Sequence, residues 1–219
     1  MYKLKLYHFP RACSRVTLTA FEEAGFEYED QVVNIFAGEQ KSPEYLKINP
    51  DGKVPTLIVD DKHVITQNAS IQIFLHGLRP DAGLLPATDD PIVQAQQRSD
   101  LIWLSSTLHP IVRQILMTVH FTDGDPVAVK AKGVEKLREA LPGLEARFAD
   151  GGWWYGNTWS IVDVYANWCL NIAIAGDFSF KEYPAVAAHF AKVMEWPSVQ
   201  KVMAKEEADL KAHGIQLPR

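Results

Sequence analysis

A cysteine and a serine stand side by side, flanked by arginines, in the segment HFPRACSRVTL (residues 8–18). Cys13 directly precedes a run with apolar residues at helical spacing, which places it at the start of a predicted helix. The unpaired N–H groups and the positive dipole end of a helix start favour a thiolate, which attacks electrophiles and disulfides. Because a helix start supplies only ~0.3–1 kcal/mol, a hydrogen bond or a nearby cation must add to it. Arg11, Arg15 and His109 are the candidate cations.

Position alone does not separate a reactive Cys13 from a packed one. A cysteine also serves as a small apolar residue at the start of a helix. His109 has the same two interpretations, because a lone histidine on an apolar helix is often a satisfied interior residue. Cys169 lies in the apolar stretch NWCLNIA and is interpreted as core.

A proline opens a predicted strand in NPDGKVPTLIVDD (residues 49–61). Proline cannot donate to a sheet ladder. A cis Val54–Pro55 bond would turn the chain and leave the backbone N–H and C=O of Val54 accessible. A peptide-like ligand could then pair with them as an added strand. Only about 5–6% of X–Pro bonds are cis, so periodicity does not by itself predict this geometry.

The elements that carry these residues fall into two halves. Residues 1–80 show the order β-α-β-α-β-β-α, with strands of alternating pattern and helices at period 3.6. Residues 81–91 contain prolines and no strong periodicity, which is typical of a linker. Residues 92–219 contain helical patterns only. The predicted helices there are 92–120, 126–149, 160–175, 184–194 and 197–211.

Composition excludes several function classes. The 219 residues carry a net charge of −5 and no long run of lysine or arginine, which argues against nucleic acid and anionic membrane as partners. No apolar run reaches the length of a membrane span, and the N-terminus does not resemble a signal peptide. Two cysteines form no disulfide framework, which favours a reducing, cytoplasmic location. The histidines lack metal-ligand spacing, so no metal is predicted.

Several motifs together resemble the cytosolic glutathione transferases over nearly the whole chain. The supporting segments are PRACS, GKVPTL, ITQNASIQIFL, SSTLHPIV and YGNTWSIVDVYANW. PRACS and SSTLHPIV are most similar to the bacterial beta class, and CSRVTL is also compatible with the zeta class. The resemblance implies a thioredoxin-like α/β N-terminal domain (1–80), an all-α C-terminal domain (92–219), glutathione as cosubstrate, and a homodimer.

The resemblance also implies roles for individual residues. Cys13 would lie beside the glutathione sulfur, with Ser14 as its rival because several classes use a serine. His109 would face the sulfur from the helical domain. The implied glutathione-binding residues are Val54 through its backbone, Pro55 in the cis form, Gln67 and Asn68 at the γ-glutamyl end, and Ser106 toward the partner subunit. The family usually has Glu-Ser or Gln-Ser where this chain has Gln67-Asn68.

Three functions therefore remain open. The first is conjugation of glutathione to small apolar electrophiles, or glutathione-dependent thiol–disulfide exchange. The second is glutathione-dependent isomerisation, ether cleavage or dehalogenation, which the zeta-like segment suggests. The third is a non-catalytic binding or regulatory protein, which the unusual Gln67-Asn68 pair suggests. No motif records the shape of the electrophile pocket, so the second substrate is not predicted.

Overall fold

The computed structural model describes residues 2–217, and the chain divides into two compact units. One unit is Met1–Leu84 together with Pro197–Arg219, and the other is Leu85–Trp196. The division falls inside the predicted linker. The final helix, however, belongs to the N-terminal unit, whereas the sequence pattern grouped it with residues 92–219.

The N-terminal unit contains a four-stranded mixed sheet and the predicted order of elements. Its strands are Leu4–His8 (β1), Glu29–Val32 (β2), Thr56–Val59 (β3) and His63–Thr66 (β4). Its first three helices are Ser14–Ala24 (α1), Pro43–Ile48 (α2) and Asn68–Leu78 (α3). The sheet order is β2-β1-β3-β4, with β1 parallel to β2 and antiparallel to β3. This architecture confirms the predicted thioredoxin-like domain.

Local sequence explains where these helices begin and end. Gly25 ends α1 in the left-handed conformation, with φ of 62°, which glycine adopts without a steric penalty. Ser42 caps α2 by accepting a hydrogen bond from the Tyr45 N–H at 3.1 Å, and Pro43 occupies the first helical position. The core beneath the helices is formed by fully buried apolar side chains, among them Leu6, Phe21, Leu57, Ile71 and Leu75.

The second unit is helical, as predicted. Its helices are Pro91–Trp103 (α4), His109–Leu116 (α5), Pro126–Phe148 (α6), Ile161–Ala175 (α7) and Pro184–Met194 (α8). The predicted continuous helix over 92–120 is wrong, because a π-helical turn at Leu104–Leu108 separates α4 from α5. Pro110 follows that turn and has no N–H to donate to the preceding turn, which accounts for the interruption.

Asp163 organises the start of α7. Its carboxylate accepts hydrogen bonds from the Ser160 N–H at 2.9 Å and the Ser160 hydroxyl at 2.8 Å. The same carboxylate accepts from the Trp154 N–H at 2.6 Å and lies 2.8 Å from Nε2 of His189. Asp163 is fully buried, and the hydrogen bonds from these donors compensate the free-energy cost of burying its carboxylate. The pairing of Ser160 with Asp163 is a capping box, and its role is structural.

The final helix, Pro197–Ala212 (α9), is tied to the sheet by a cluster of charged groups. Nε2 of the buried His8 lies 2.8 Å from the Asp30 carboxylate. Nζ of Lys205 lies 2.7 Å from Asp30 and 3.1 Å from Asp209. His8, Asp30 and Asp209 are of types that bind metals, but the Lys205 ammonium already contacts both carboxylates. The cluster is therefore interpreted as an ion-pair network.

Among residues 2–217, no helix is both long enough and apolar enough to cross a membrane.

Asp30→Asn should lower stability in a pH-dependent way. The hydrogen bond from His8, opposed by burial and reinforced by Lys205, lowers the pKa of Asp30 from 3.8 to about 2. A lowered pKa stabilises the folded state above the unfolded value, and this stabilisation is lost as the pH falls through the folded value. We expect Asp30→Asn to reduce the free energy of unfolding by about 1 kcal/mol near pH 7, after allowance for solvent screening.

Urea unfolding between about pH 2 and pH 7 measures this effect. The difference between the natural protein and Asp30→Asn should be constant above about pH 5 and shrink below about pH 4. The exposed Asp89→Asn serves as the control and should change stability little at any pH. A difference that stays constant down to pH 2 contradicts the assignment.

Candidate active site

Cys13 lies at the junction between β1 and α1. It directly precedes the first residue of α1, and its half-buried side chain does not cap the helix. The Sγ atom lies 3.6 Å from the carbonyl oxygen of Val54, to which the thiol donates. The structure therefore places the thiol at the helix start that the sequence predicts, beside the backbone of the Val54–Pro55 segment.

The Val54–Pro55 segment is held by its neighbours. The Val54–Pro55 peptide bond is cis, as the resemblance implies. Three side chains donate hydrogen bonds to the carbonyl of the preceding residue, Lys53: Tyr45 at 2.7 Å, Asn49 at 2.9 Å and Thr56 at 3.1 Å. This triple contact fixes the backbone that leads to Val54, which presents its carbonyl to Cys13.

The side chain of Asn68 is engaged inside the protein. Its Nδ2 donates to the carbonyl of Cys13 at 2.7 Å, and its Oδ1 accepts from the Thr17 hydroxyl at 2.9 Å. Gln72 donates to the same Oδ1 at 3.3 Å. Both ends of the buried amide therefore bond within the protein, and the contact of Asn68 with a ligand stays a prediction. The amide instead joins the start of α3 to the start of α1.

Gln67 has a strained backbone at the start of α3. Its φ of 69° and ψ of 119° lie outside the regions that non-glycine residues ordinarily adopt. Its side chain is exposed and makes no capping hydrogen bond to the N-terminus of α3. Strained residues held by surrounding structure cluster at ligand-binding sites, which is consistent with the predicted role of Gln67.

Ser14 is a structural residue in this arrangement. It is fully buried, and its hydroxyl donates to the carbonyl of Phe9 at 3.0 Å. The same oxygen accepts from the Phe9 N–H at 3.2 Å. The hydroxyl therefore closes the loop between β1 and α1. Of the two candidates for the contact with the glutathione sulfur, Cys13 has the more accessible side chain.

Two of the three candidate cations, Arg11 and Arg15, are paired with carboxylates on α9. The Arg15 guanidinium is buried and lies 2.6 Å from Glu206, and the exposed Arg11 guanidinium lies 2.5 Å from Glu207. Their charges are therefore largely neutralised by these partners. Neither arginine is therefore a main source of stabilisation for a Cys13 thiolate, which leaves the helix start, hydrogen bonds and the third candidate cation.

His109 lies at the start of α5 in the helical unit. Its Nδ1 is 3.1 Å from the Tyr165 hydroxyl, and its ring meets the ring of Trp168 edge to face with centroids 4.5 Å apart. His109 is half-buried, whereas Tyr165 and Trp168 are buried. The histidine is thus oriented by two aromatic residues of α7.

Ser106 lies on the exposed side of the π-helical turn. Its hydroxyl donates to the carbonyl of Ile102 at 2.7 Å, as does the hydroxyl of Ser105 at 3.0 Å. These bonds satisfy a carbonyl near the interrupted end of α4. The role of Ser106 toward a partner subunit stays a prediction.

The Glu206 carboxylate contacts both arginine positions, and this role was not predicted from the sequence. Glu206 is fully buried and follows Val199 and Val202 at helical spacing, with Leu210 one turn later. A glutamate on an otherwise apolar helical stripe is a signal for a buried ion pair. That signal was present in the sequence, although it does not identify Arg15 as the partner.

The chain belongs to the glutathione S-transferase family. Residues 2–76 match the family model "Glutathione S-transferase, N-terminal domain", and residues 107–197 match "Glutathione S-transferase, C-terminal domain". The chain is also 30% identical to a zeta-class glutathione S-transferase of Euphorbia esula, over 94% of this chain and 92% of that protein. These matches confirm the predicted family and enzyme class.

Solved structures have the same fold. A glutathione transferase homologue from Sulfitobacter, with bound glutathione, superposes with a TM-score of 0.80 at 26% identity, covering 99% of this chain and 100% of that one. A beta-class glutathione S-transferase of Sphingomonas chungbukensis also gives a TM-score of 0.80 at 26% identity, covering 92% and 98%. The chain is therefore similar to members of both classes that its motifs suggest.

Asn68→Ala should mainly lower stability, whereas Gln67→Ala should mainly weaken the binding of glutathione. Asn68→Ala leaves the Cys13 carbonyl and the Thr17 hydroxyl without their buried partner. We expect it to lower the free energy of unfolding by about 1–3 kcal/mol. Gln67→Ala removes an exposed side chain, so we expect a change of less than about 0.5 kcal/mol and a weaker affinity for glutathione.

Urea unfolding and calorimetric titration with glutathione measure the two effects on the same preparations. Equal losses of stability in both variants would contradict the structural role of Asn68. An unchanged affinity in Gln67→Ala would contradict the predicted ligand contact.

Proposed function

We propose that this chain binds glutathione beside Cys13 and transfers it to small apolar electrophiles or exchanges it with mixed disulfides. The observation that carries the proposal is the Cys13 thiol at the start of α1, 3.6 Å from the Val54 carbonyl. In the family resemblance, this backbone pairs with the cysteinyl unit of glutathione. A sulfur paired there would lie next to the thiol of Cys13.

In thiol–disulfide exchange, the Cys13 thiolate attacks one sulfur of oxidised glutathione. The Cys13–glutathione disulfide forms, the bond between the two glutathione sulfurs breaks, and one glutathione leaves as a thiolate. A second thiol then attacks the mixed disulfide and restores Cys13. In conjugation, the glutathione thiolate attacks the electrophile, and Cys13 donates a hydrogen bond to that thiolate.

The start of α3 is the proposed site for the γ-glutamyl end. A helix N-terminus without a side-chain cap presents N–H groups and the positive dipole end to a carboxylate. Gln67 lies beside these groups with an exposed side chain. Asn68 contributes through its backbone N–H, because its amide is engaged with Cys13 and Thr17.

The electrophile and the partner subunit belong to the same proposal. In the helical unit, the aromatic residues that orient His109 could line an apolar electrophile site. Three exposed apolar side chains on α4, Ile92, Val93 and Ile102, support a subunit interface and hence a homodimer. Two free cysteines are compatible with a reducing compartment such as the cytoplasm.

A second candidate is glutathione-dependent isomerisation, ether cleavage or dehalogenation. The zeta-like segment CSRVTL and the 30% identity to a zeta-class relative favour it. In such reactions, the glutathione thiolate adds to the substrate and later leaves. Turnover of a substrate panel above the Cys13→Ala background supports this candidate, and no turnover argues against it.

Intact-protein mass after incubation with oxidised glutathione tests the main proposal. The natural protein should gain one glutathione, and Cys13→Ala should gain none. Cys169→Ala is the matched control, since it removes the other cysteine, which is fully buried, and should keep the adduct. Loss of a hydrogen bond to the glutathione thiolate should also slow conjugation by roughly 10- to 100-fold in Cys13→Ala.

Absence of an adduct in the natural protein overturns the exchange reaction. Conjugation that is unchanged in Cys13→Ala overturns the hydrogen-bonding role. Failure to be retained on immobilised glutathione would favour the third candidate, a non-catalytic protein of this fold.

A further inference from the structure

We infer that Glu206, on α9, is a positioning residue for the Cys13 segment. The inference rests on the proposed function, because it treats Cys13 as the reacting thiol. Glu206 does not contact Cys13. It holds the chain on both sides of that residue, at Arg11 and at Arg15.

The Glu206 carboxylate uses its two oxygens for two different parts of the segment. Oε1 accepts from the backbone N–H of Arg11 at 2.8 Å. Oε2 accepts from Nε of Arg15 at 2.8 Å and from Nη2 at 2.6 Å. Arg11 precedes Cys13 by two positions and Arg15 follows it by two. The Glu206 side chain of α9 therefore contacts the chain on both sides of Cys13, at the start of α1.

Burial makes this contact difficult to break. Glu206 is 0% exposed and Arg15 is 4% exposed. A buried carboxylate and guanidinium are compensated only while they remain paired and hydrogen-bonded. Separation of α9 from α1 would leave both charges without a partner in the interior. The first turn of α1, which follows Cys13, is therefore tied to α9.

Arg11 shows that the loop conformation needs external support. Its φ of 64° is in the left-handed region, which is unfavourable for a residue with a Cβ atom. Glu206 holds its N–H in that conformation. The Arg11 guanidinium also meets Glu207 at 2.5 Å, but this pair is exposed and surface ion pairs contribute little. The part-buried backbone contact to the fully buried Glu206 carboxylate is thus the stronger restraint.

Other contacts restrain different atoms of the same segment. Ser14 joins the loop to the end of β1 through Phe9, and Asn68 holds the carbonyl of Cys13. Glu206 adds a restraint on the backbone before Cys13. Because misplacement of a reacting group by about 1 Å can cost about 100-fold in rate, loss of this restraint should slow the chemistry.

Two double variants isolate the backbone contact from the ion pair. Arg15→Met/Glu206→Gln and Arg15→Met/Glu206→Met both remove the buried ion pair with side chains of similar size. Glutamine keeps an acceptor for the Arg11 N–H, and methionine does not. A difference between them therefore reports on the contact to Arg11. Lys201→Met, an exposed change on the same helix, is the control.

Two quantities are measured. The first is the rate at which oxidised glutathione forms a mixed disulfide with Cys13, and the second is the pH profile of Cys13 alkylation by iodoacetamide. Both are measured at a temperature at which urea unfolding shows every variant to be folded. We expect the methionine variant to react about 10-fold or more slowly than the glutamine variant, with an alkylation midpoint at higher pH. Lys201→Met should react within about 2-fold of the natural protein.

The outcomes separate the two proposals. If the natural protein forms no adduct, the proposed function fails. If it does and the two double variants react at equal rates with equal pH profiles, the positioning role of Glu206 is overturned. Should the methionine variant not fold, amide hydrogen exchange of the natural protein decides. Exchange of the Arg11 amide as slow as in α1 supports the inference, and exchange at the rate of an exposed loop overturns it.

Discussion

Two charged side chains are tolerated in a protein interior only while they remain paired with each other. The segment that carries Cys13 contains one partner of such a pair, Arg15, and Glu206 is the other. Arg15 lies in the first turn of α1, and Glu206 lies far along the chain in α9. Breaking a pair of this kind by removing one partner typically costs about 3–5 kcal/mol. The pair therefore requires that the last helix complete the N-terminal unit, which is the grouping observed.

Around this pair, buried polar groups hold the segment that carries Cys13. Ser14 closes the loop onto Phe9, and Asn68 joins the Cys13 carbonyl to Thr17. These side chains are satisfied by the protein itself. The thiol of Cys13 also donates to a backbone carbonyl, but it is only half-buried and lies at the start of a helix. This division of roles explains how a serine and an asparagine can flank a reactive site without carrying its chemistry.

The sequence predicted the fold better than it predicted the roles of polar residues. Strand alternation and helical periodicity are local, so they located every strand and most helices. The break before His109 required attention to Pro110, whose missing N–H interrupts a helix that periodicity extends. The grouping of α9 depends on Arg15 and Glu206, and a local pattern does not pair residues that far apart.

The candidate site shows the same limit. Cys13 at a helix start and the cis Val54–Pro55 bond were both predicted, the second from family resemblance. Residue type did not reveal that the Asn68 amide faces inward, because asparagine can bond to a ligand or to the protein with equal chemistry. The strained φ of Gln67 is likewise a tertiary property.

The most direct test of the proposed role of Cys13 is a crystal structure of the protein with glutathione bound. We predict that the glutathione sulfur lies within hydrogen-bonding distance of Cys13 Sγ and that the cysteinyl backbone pairs with Val54. We also predict that Ser14 keeps its contact with Phe9. A sulfur placed against the Ser14 hydroxyl, or glutathione bound away from the start of α1, would contradict the proposed role.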